Sequence, residues 1–94
     1  MRRNVLIDLA AEGCTGCVIG LASNGADLNT EDEHGQTPLM LTAAGGYIDT
    51  VSALIEHGAN ISKKSRNGTT ALIFASMNGH EEIVKILQDA GAIE

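Results

Sequence analysis

The sequence predicts an all-α solenoid, in which helical units of one length stack side by side, and three observations support this fold class. The segment DEHGQTPL at 32–39 recurs as SRNGTTAL at 65–72, a shift of 33 residues, and a period of this length is typical of stacked supersecondary units. Within each unit, apolar residues follow helical spacing between turn residues. Aromatic residues make up only 2% of the chain, so we expect an aliphatic core of closely stacked helices.

The same period relates the glycines that follow the predicted helices. Gly13, Gly46 and Gly79 are separated by 33 residues each, and so are Gly58 and Gly91. The chain therefore holds three helix-turn-helix units joined by hairpin-like turns. With 94 residues there is room for one domain, and we place the units at about 1–31, 32–64 and 65–94.

The middle unit contains clear helix signals. Thr37 followed by Pro38 predicts a helix start, because the hydroxyl can cap free amides and proline lacks the N–H that would need a partner. The glycine pair at 45–46 ends this helix. A second helix over 49–57 carries one apolar stripe, and Gly58 stands where a left-handed C-terminal cap is needed.

The last unit repeats this pattern, with a second helix over 81–90. Where the middle unit has Ile48 and Ile55, the last unit has Glu81 and Gln88. Polar residues at such positions are expected where a stack of repeats ends, so we predict a C-terminal cap.

The first unit is degraded but in phase, with a first helix over 5–10. Its second helix includes Gly16 and Gly20. A glycine inside a helix costs about 1 kcal/mol relative to alanine, so we predict that this helix is the weakest element of the fold.

Composition and charge argue against several classes of function. The formal net charge of −6 is unfavourable for binding nucleic acid or an anionic membrane. No apolar run approaches the roughly 18 residues of a membrane-spanning helix, and the apolar stretch before Asp8 is too short for a secretory signal. We therefore expect a cytoplasmic or nuclear protein with reduced thiols.

Catalysis has little support in the residue pattern. No nucleophile is paired with a base, and no glycine-rich loop follows a strand. His34, His57 and His80 fall at three different places of the unit, so they do not form a metal-binding cluster. We predict that the chain is not an enzyme and holds no metal or cofactor.

The two cysteines leave alternatives open. Cys14 and Cys17 have the spacing of a redox dithiol or of half a zinc site. However, no strand flanks them, and a structural zinc site needs four ligands. Cys17 is equivalent by period to Thr50 and Ile83, on an apolar helix face, and we favour small side chains that fill the core.

These patterns resemble the ankyrin repeat, whose sequence runs G-x-T-P-L-H-x-A-A…G-H…V-x-L-L…G-A-D-x-N. The matching residues are Gly35-Gln36-Thr37-Pro38-Leu39, Ala43, Gly46, Val51, Leu54 and Gly58-Ala59-Asn60, then Gly68-Thr69-Thr70, Leu72, Ala75, Gly79-His80, Val84, Leu87 and Gly91-Ala92. The resemblance covers essentially the whole chain as three repeats. It implies a non-catalytic protein–protein interaction module, with another protein as partner, and we expect a monomer.

The chain departs from the family pattern at several positions. The histidine after Pro-Leu is Met40 in one repeat and Ile73 in the next, proline is replaced by Ala71, and an alanine by Thr42. These changes are expected to weaken local order without changing the fold. Two arginines at 2–3 stand where the first turn is expected. The alternative function is therefore a structural fragment of a larger ankyrin scaffold with no partner of its own.

The resemblance also implies where a partner docks, because similar ankyrin proteins bind partners at the turn tips and at the ends of the first helices. Carried over by position, the predicted partner-binding residues are Glu33, His34, Gln36, Ala44, Gly45, Arg66, Asn67, Thr69, Met77 and Asn78. Weaker equivalents in the first repeat are Arg3, Ala11 and Glu12. Met77 suits an adaptable interface; the alternative is a single exposed apolar side chain without a role.

Charges on the turns have two interpretations. Glu31 and Lys64, like Glu33 and Arg66, occupy equivalent positions in neighbouring repeats. Surface ion pairs between repeats, worth about 0–1 kcal/mol each, are the favoured interpretation. The other is a bipolar strip that recognises a partner of complementary charge.

Asn29 resembles the ankyrin asparagines that are hydroxylated. The favoured alternative is that Asn29 hydrogen-bonds its turn.

Overall fold

The computed structural model describes residues 5–92 and shows an all-α chain. Over this range there are six helices and no strand, as predicted. They are α1 (Val5–Ala11), α2 (Thr15–Ser23), α3 (Pro38–Gly45), α4 (Ile48–Glu56), α5 (Ala71–Met77) and α6 (Glu81–Asp89). None of the helices within 5–92 has the length and apolar character needed to cross a lipid bilayer.

The helices form a stack of two layers. The first helices of the units, α1, α3 and α5, pack against one another in order, and so do the second helices, α2, α4 and α6. Each first helix also packs on the second helix of its own unit. Successive helix pairs are therefore displaced along a common axis, which is the arrangement expected of a solenoid.

An aliphatic core runs through the stack. Leu54 and Leu87, which are one period apart, are fully buried in α4 and α6, and Leu39 is buried in α3. The only phenylalanine, Phe74, is partly buried against this core. Since the buried positions recur with the period, each helix pair covers the apolar side of the next.

The starts of the first helices are capped as the sequence predicts. The Thr37 hydroxyl accepts a hydrogen bond from the Met40 amide at 3.3 Å, and the Thr70 hydroxyl accepts one from the Ile73 amide at 3.3 Å. Met40 departs from the family histidine, yet its sulfur accepts the Thr37 N–H at 3.4 Å. This sulfur closes a capping box, whereas the apolar side chain of Ile73 has no acceptor atom.

The predicted second helices agree with the observed ones to within one residue. The helix predicted over 49–57 is α4, and the helix predicted over 81–90 is α6. Glu81 and Gln88 are exposed on α6. Helix ends commonly shift by a residue or two, because the last turn has no downstream hydrogen-bond partner.

The second helix of the first unit offers a direct test. Gly20 lies inside α2, and a Cβ placed there would meet nothing within 4 Å. We expect Gly20→Ala to raise the free energy of unfolding by about 1 kcal/mol and the midpoint of thermal unfolding by about 4–8 °C. Scanning calorimetry measures both.

A matched control is the same substitution at Gly45, the last residue of α3. A Cβ there would lie 2.6 Å from the Tyr47 ring, so Gly45→Ala is expected to lower the midpoint. A lower midpoint for Gly20→Ala, or two variants that shift in the same direction, would contradict the packing described here.

Candidate functional site

Two turn tips stand before the first helices of the second and third units. The middle tip, residues 32–36, is closed by the Asp32 carboxylate, which accepts the amides of His34 and Gln36 at 2.8 Å each. The last tip, residues 65–69, is closed by backbone and hydroxyl hydrogen bonds between Ser65 and Thr69, at 2.9 and 3.2 Å. Each tip therefore has a conformation fixed by its own hydrogen bonds.

The two tips are also joined to each other. The Arg66 amide donates to the His34 carbonyl at 3.1 Å, and a Cβ at Gly35 would lie 3.0 Å from the Arg66 nitrogen. The backbones of neighbouring tips are thus in direct contact. Above this contact, the side chains of Glu33 and His34 are 80% and 71% exposed, and Arg66 and Asn67 are exposed as well.

A second group of predicted residues lies at the other end of the first helices. The Ala44 carbonyl accepts the Asn78 side-chain amide at 3.1 Å, and Gly45 faces the Tyr47 ring. The Ala44 carbonyl therefore joins the second repeat to the third, whereas Gly45 contacts a ring of its own repeat. Met77, at the end of α5, is 70% exposed.

The ten predicted partner-binding residues thus fall in two rows. The tip row contains Glu33, His34, Gln36, Arg66, Asn67 and Thr69, of which Gln36 and Thr69 are half-buried just before the helix caps. The helix-end row contains Ala44, Gly45, Met77 and Asn78. Since α3 has 8 residues, the rows are about 12 Å apart.

The weaker first-repeat equivalents are only partly described. Ala11 and Glu12 are exposed at the end of α1, in the register of the helix-end row. Arg3 lies outside the described residues.

One ion pair between repeats forms, with a different lysine from the one predicted. Lys63, not Lys64, pairs with Glu31, and its ammonium group also donates to the Asn29 carbonyl at 3.2 Å. Lys63 is half-buried and faces Glu31 and Asn29 of the preceding repeat, whereas Lys64 is exposed. The prediction of Lys64 was wrong by one position.

The second predicted ion pair is absent within residues 5–92. Glu33 lies 4.0 Å from the imidazole of the neighbouring His34 rather than against Arg66. The charges of Glu33 and Arg66 are therefore not neutralised by each other. Ion pairing between repeats therefore accounts for the charge of Glu31. It does not account for the charges of Glu33 and Arg66, for which recognition of a partner stays a prediction.

Asn29 takes part in turn hydrogen bonds, as the interpretation favoured from the sequence predicts. Its side-chain oxygen accepts the Asn60 amide at 2.8 Å, and its own amide donates to the Asp27 carboxylate at 2.9 Å. Asn29 therefore both shapes its own turn and links it to the next one. The link crosses from one repeat to the following repeat, about one period away.

A contact of a ring on a glycine recurs at both repeat interfaces, and sequence analysis missed it. A Cβ at Gly13 would lie 2.6 Å from the Tyr47 ring, and a Cβ at Gly46 would lie 2.7 Å from the His80 ring. We call each of these glycines a ring seat. Both rings and both seats are one period apart, so the period itself is the signal that could have paired them. At Gly79, the third equivalent, a Cβ would meet nothing within 4 Å.

A cleft of about 550 Å³ opens beside Gly79. It is lined by Ser76, Gly79, His80, Glu81, Val84 and Lys85. His80 Nε2 lies 3.1 Å from the Ala44 carbonyl oxygen, so the preceding repeat fixes the orientation of its ring. No group of three or more metal-ligating side chains occurs in the described part of the chain.

The cysteines differ from the prediction. Cys14 and Cys17 form a disulfide, with their Cα atoms 5.3 Å apart, and Cys17 is exposed. The assignment of Cys17 as a core-filling residue with a reduced thiol was therefore wrong. Its equivalents Thr50 and Ile83 are buried.

The position of α2 in the stack explains this difference. Thr50 faces the preceding repeat, where its hydroxyl lies 2.5 Å from the hydroxyl of Thr15 on α2. Within residues 5–92, no helix pair precedes α2, so the same face of α2 is open at Cys17 and at Gly20.

Comparison with known proteins agrees with this architecture. A family model described as ankyrin repeats, in three copies, matches residues 6–93. A search of curated proteins finds no match. The matched region spans nearly the whole chain, and residues 5–92 form six helices in three stacked pairs, so this chain belongs to the ankyrin-repeat family.

Proposed function

We propose that this chain is a non-catalytic module that binds another protein through its tip row and through Met77 of the helix-end row. Ankyrin repeats are generally protein–protein interaction modules. The observation that carries the proposal is the hydrogen bond from the Arg66 amide to the His34 carbonyl. It holds neighbouring tips together and leaves four polar side chains exposed side by side.

Order in the free protein favours binding. Association costs conformational freedom, and a surface that is already ordered pays less of this cost. The backbone of the middle tip is closed by Asp32 and that of the last tip by Ser65. A partner therefore meets two prepared turns instead of flexible loops.

The chemistry of the partner follows from the charges. Glu33 and Arg66 are exposed and do not pair with each other, so the tip row offers one acidic and one basic group. Such a pattern selects a partner with complementary charges in the matching order. The exposed thioether of Met77 supplies an adaptable apolar contact about 12 Å from the tips.

The test is a double variant with a matched control. We expect Arg66→Glu combined with Met77→Ala to abolish capture of partner proteins by the purified chain, because it reverses one charge and removes the apolar contact. The control combines Lys85→Glu with Ile19→Ala, which changes charge and apolar area by similar steps at equivalent exposed positions of the second helices α6 and α2. Capture is measured by affinity purification with crosslinking and mass spectrometry.

Circular dichroism must show equal helix content in both double variants. A photo-crosslinking amino acid at Asn67 is expected to label the captured protein, whereas one at His57, at the end of α4, is not. Capture that survives Arg66→Glu with Met77→Ala, or equal labelling from both positions, would remove the two rows from consideration.

A further inference from the structure

The disulfide at the start of α2 belongs to neither the tip row nor the helix-end row. We propose that it is a redox-active site: it exchanges with a dithiol, and its state sets the local stability of the first repeat. Cys14 is the N-cap residue of α2, and Cys17 lies three residues later in the first helical turn. The bond therefore closes that turn covalently.

The two cysteines differ in exposure. Cys17 is exposed, and its neighbours Gly16 and Gly20 on α2 carry no side chains and are themselves exposed. Cys14 is half-buried. An attacking thiolate therefore reaches the sulfur of Cys17 more readily, and Cys14 is the leaving group.

The position of Cys14 favours its departure as a thiolate. The first amides of a helix lack intrahelical acceptors and carry a partial positive charge, and the side chain of Cys14 makes no capping hydrogen bond to those of α2. A cysteine thiolate at a helix N-terminus is stabilised by this environment. A better leaving group speeds thiol–disulfide exchange.

The exchange balances in two steps. One thiolate of the dithiol attacks the Cys17 sulfur, forming a mixed disulfide and releasing the Cys14 thiolate. The second thiolate of the reductant then attacks the reductant's other sulfur, which is bonded to Cys17 in the mixed disulfide, and releases the Cys17 thiolate. Two protons convert the thiolates to thiols, so the protein gains two electrons and two protons while the dithiol becomes a cyclic disulfide.

Reduction is expected to destabilise α2 because the residues on either side of Cys14 contact the second repeat. Gly13, directly before Cys14, receives the Tyr47 ring, and Thr15, directly after it, contacts Thr50. Both contacts join the first repeat to the second. Opening the disulfide removes a covalent closure from a helix that also contains two glycines, so we infer that the first repeat loosens while the last one does not.

The experiment uses the full chain with dithiothreitol as the probe. Hydrogen exchange followed by mass spectrometry compares the oxidised and reduced chain. We expect protection of the α2 amides to fall on the order of tenfold on reduction, with the α6 amides unchanged. The variant Cys14→Ser with Cys17→Ser is the control, and it is expected to exchange like the reduced chain with or without dithiothreitol.

A second measurement tests the direction of attack. Brief treatment of the oxidised chain with the monothiol glutathione, quenched by alkylation, is expected to place the glutathione on Cys17 and the alkyl group on Cys14. The proposal is overturned if α2 exchanges equally in both states, if α6 loses as much protection as α2, or if glutathione is found on Cys14.

Discussion

Replacing Leu54 with alanine is expected to lower the free energy of unfolding by about 3 kcal/mol, within the usual range for large-to-small changes in a core. Leu54 is fully buried in α4, which lies between α2 and α6 in the second layer. The loss combines the transfer energy of the removed atoms with a cavity that the surrounding helices cannot fill. Urea unfolding followed by circular dichroism measures it.

The same helix provides the control. Ile48 begins α4 and is 37% exposed, so Ile48→Ala is expected to cost about 1 kcal/mol or less. A stack of three units is near the minimum for stability, so Leu54→Ala should remove a large fraction of the total free energy of unfolding. Equal losses for Leu54→Ala and Ile48→Ala would contradict the placement of the core.

The second large effect is expected for Gly46→Ala, which lowers the free energy of unfolding by about 2–3 kcal/mol for two separate reasons. Gly46 has φ of 79°, in the left-handed region, and a Cβ there would lie 2.7 Å from the His80 ring. The backbone penalty alone is about 1 kcal/mol for a residue with a side chain. The remainder comes from displacing a ring that the Ala44 carbonyl holds in place.

Two further variants separate these costs. Gly79 is equivalent to Gly46, with φ of 74° and no atom within 4 Å of a built Cβ, so Gly79→Ala should show the backbone penalty alone. Adding Gly46→Ala to a His80→Ala background should then cost the same as Gly79→Ala. Equal losses for the single variants Gly46→Ala and Gly79→Ala would show that His80 does not occupy the ring seat.

The architecture was predictable because one set of local signals occurs in phase along the chain. Thr37 with Pro38 identifies the cap of α3 and the helix that follows. Leu54 and Leu87 fall at the same place in successive units and are buried alike. A pattern that recurs with the structural period reports on packing as well as on helix formation, since each unit faces a copy of itself.

Other features could not be predicted from the period. Cys17 was compared with Thr50 and Ile83 as though every unit had the same neighbours, but the face of α2 that carries Cys17 has no helix pair against it in the described range. Lys63 was missed because the period relates positions and does not say which way a side chain points. That direction depends on the local backbone.

The candidate site was predictable in position but not in its connections. Glu33 and Arg66 were carried over by position from the ankyrin pattern, and both are exposed. The hydrogen bond between the Arg66 amide and the His34 carbonyl joins two main-chain groups, so the residue types do not predict it. Whether the two rows bind a partner stays a prediction.

The ring seats have a consequence for how such a chain can change in evolution. Each repeat interface takes its ring from one unit and its glycine from the unit before, and the third unit carries both His80 and Gly79. An in-frame gene deletion of one whole period, residues 32–64, would bring His80 over Gly13 and restore the same joint. Duplication of one whole period would likewise place a ring beside a glycine at the new repeat interface.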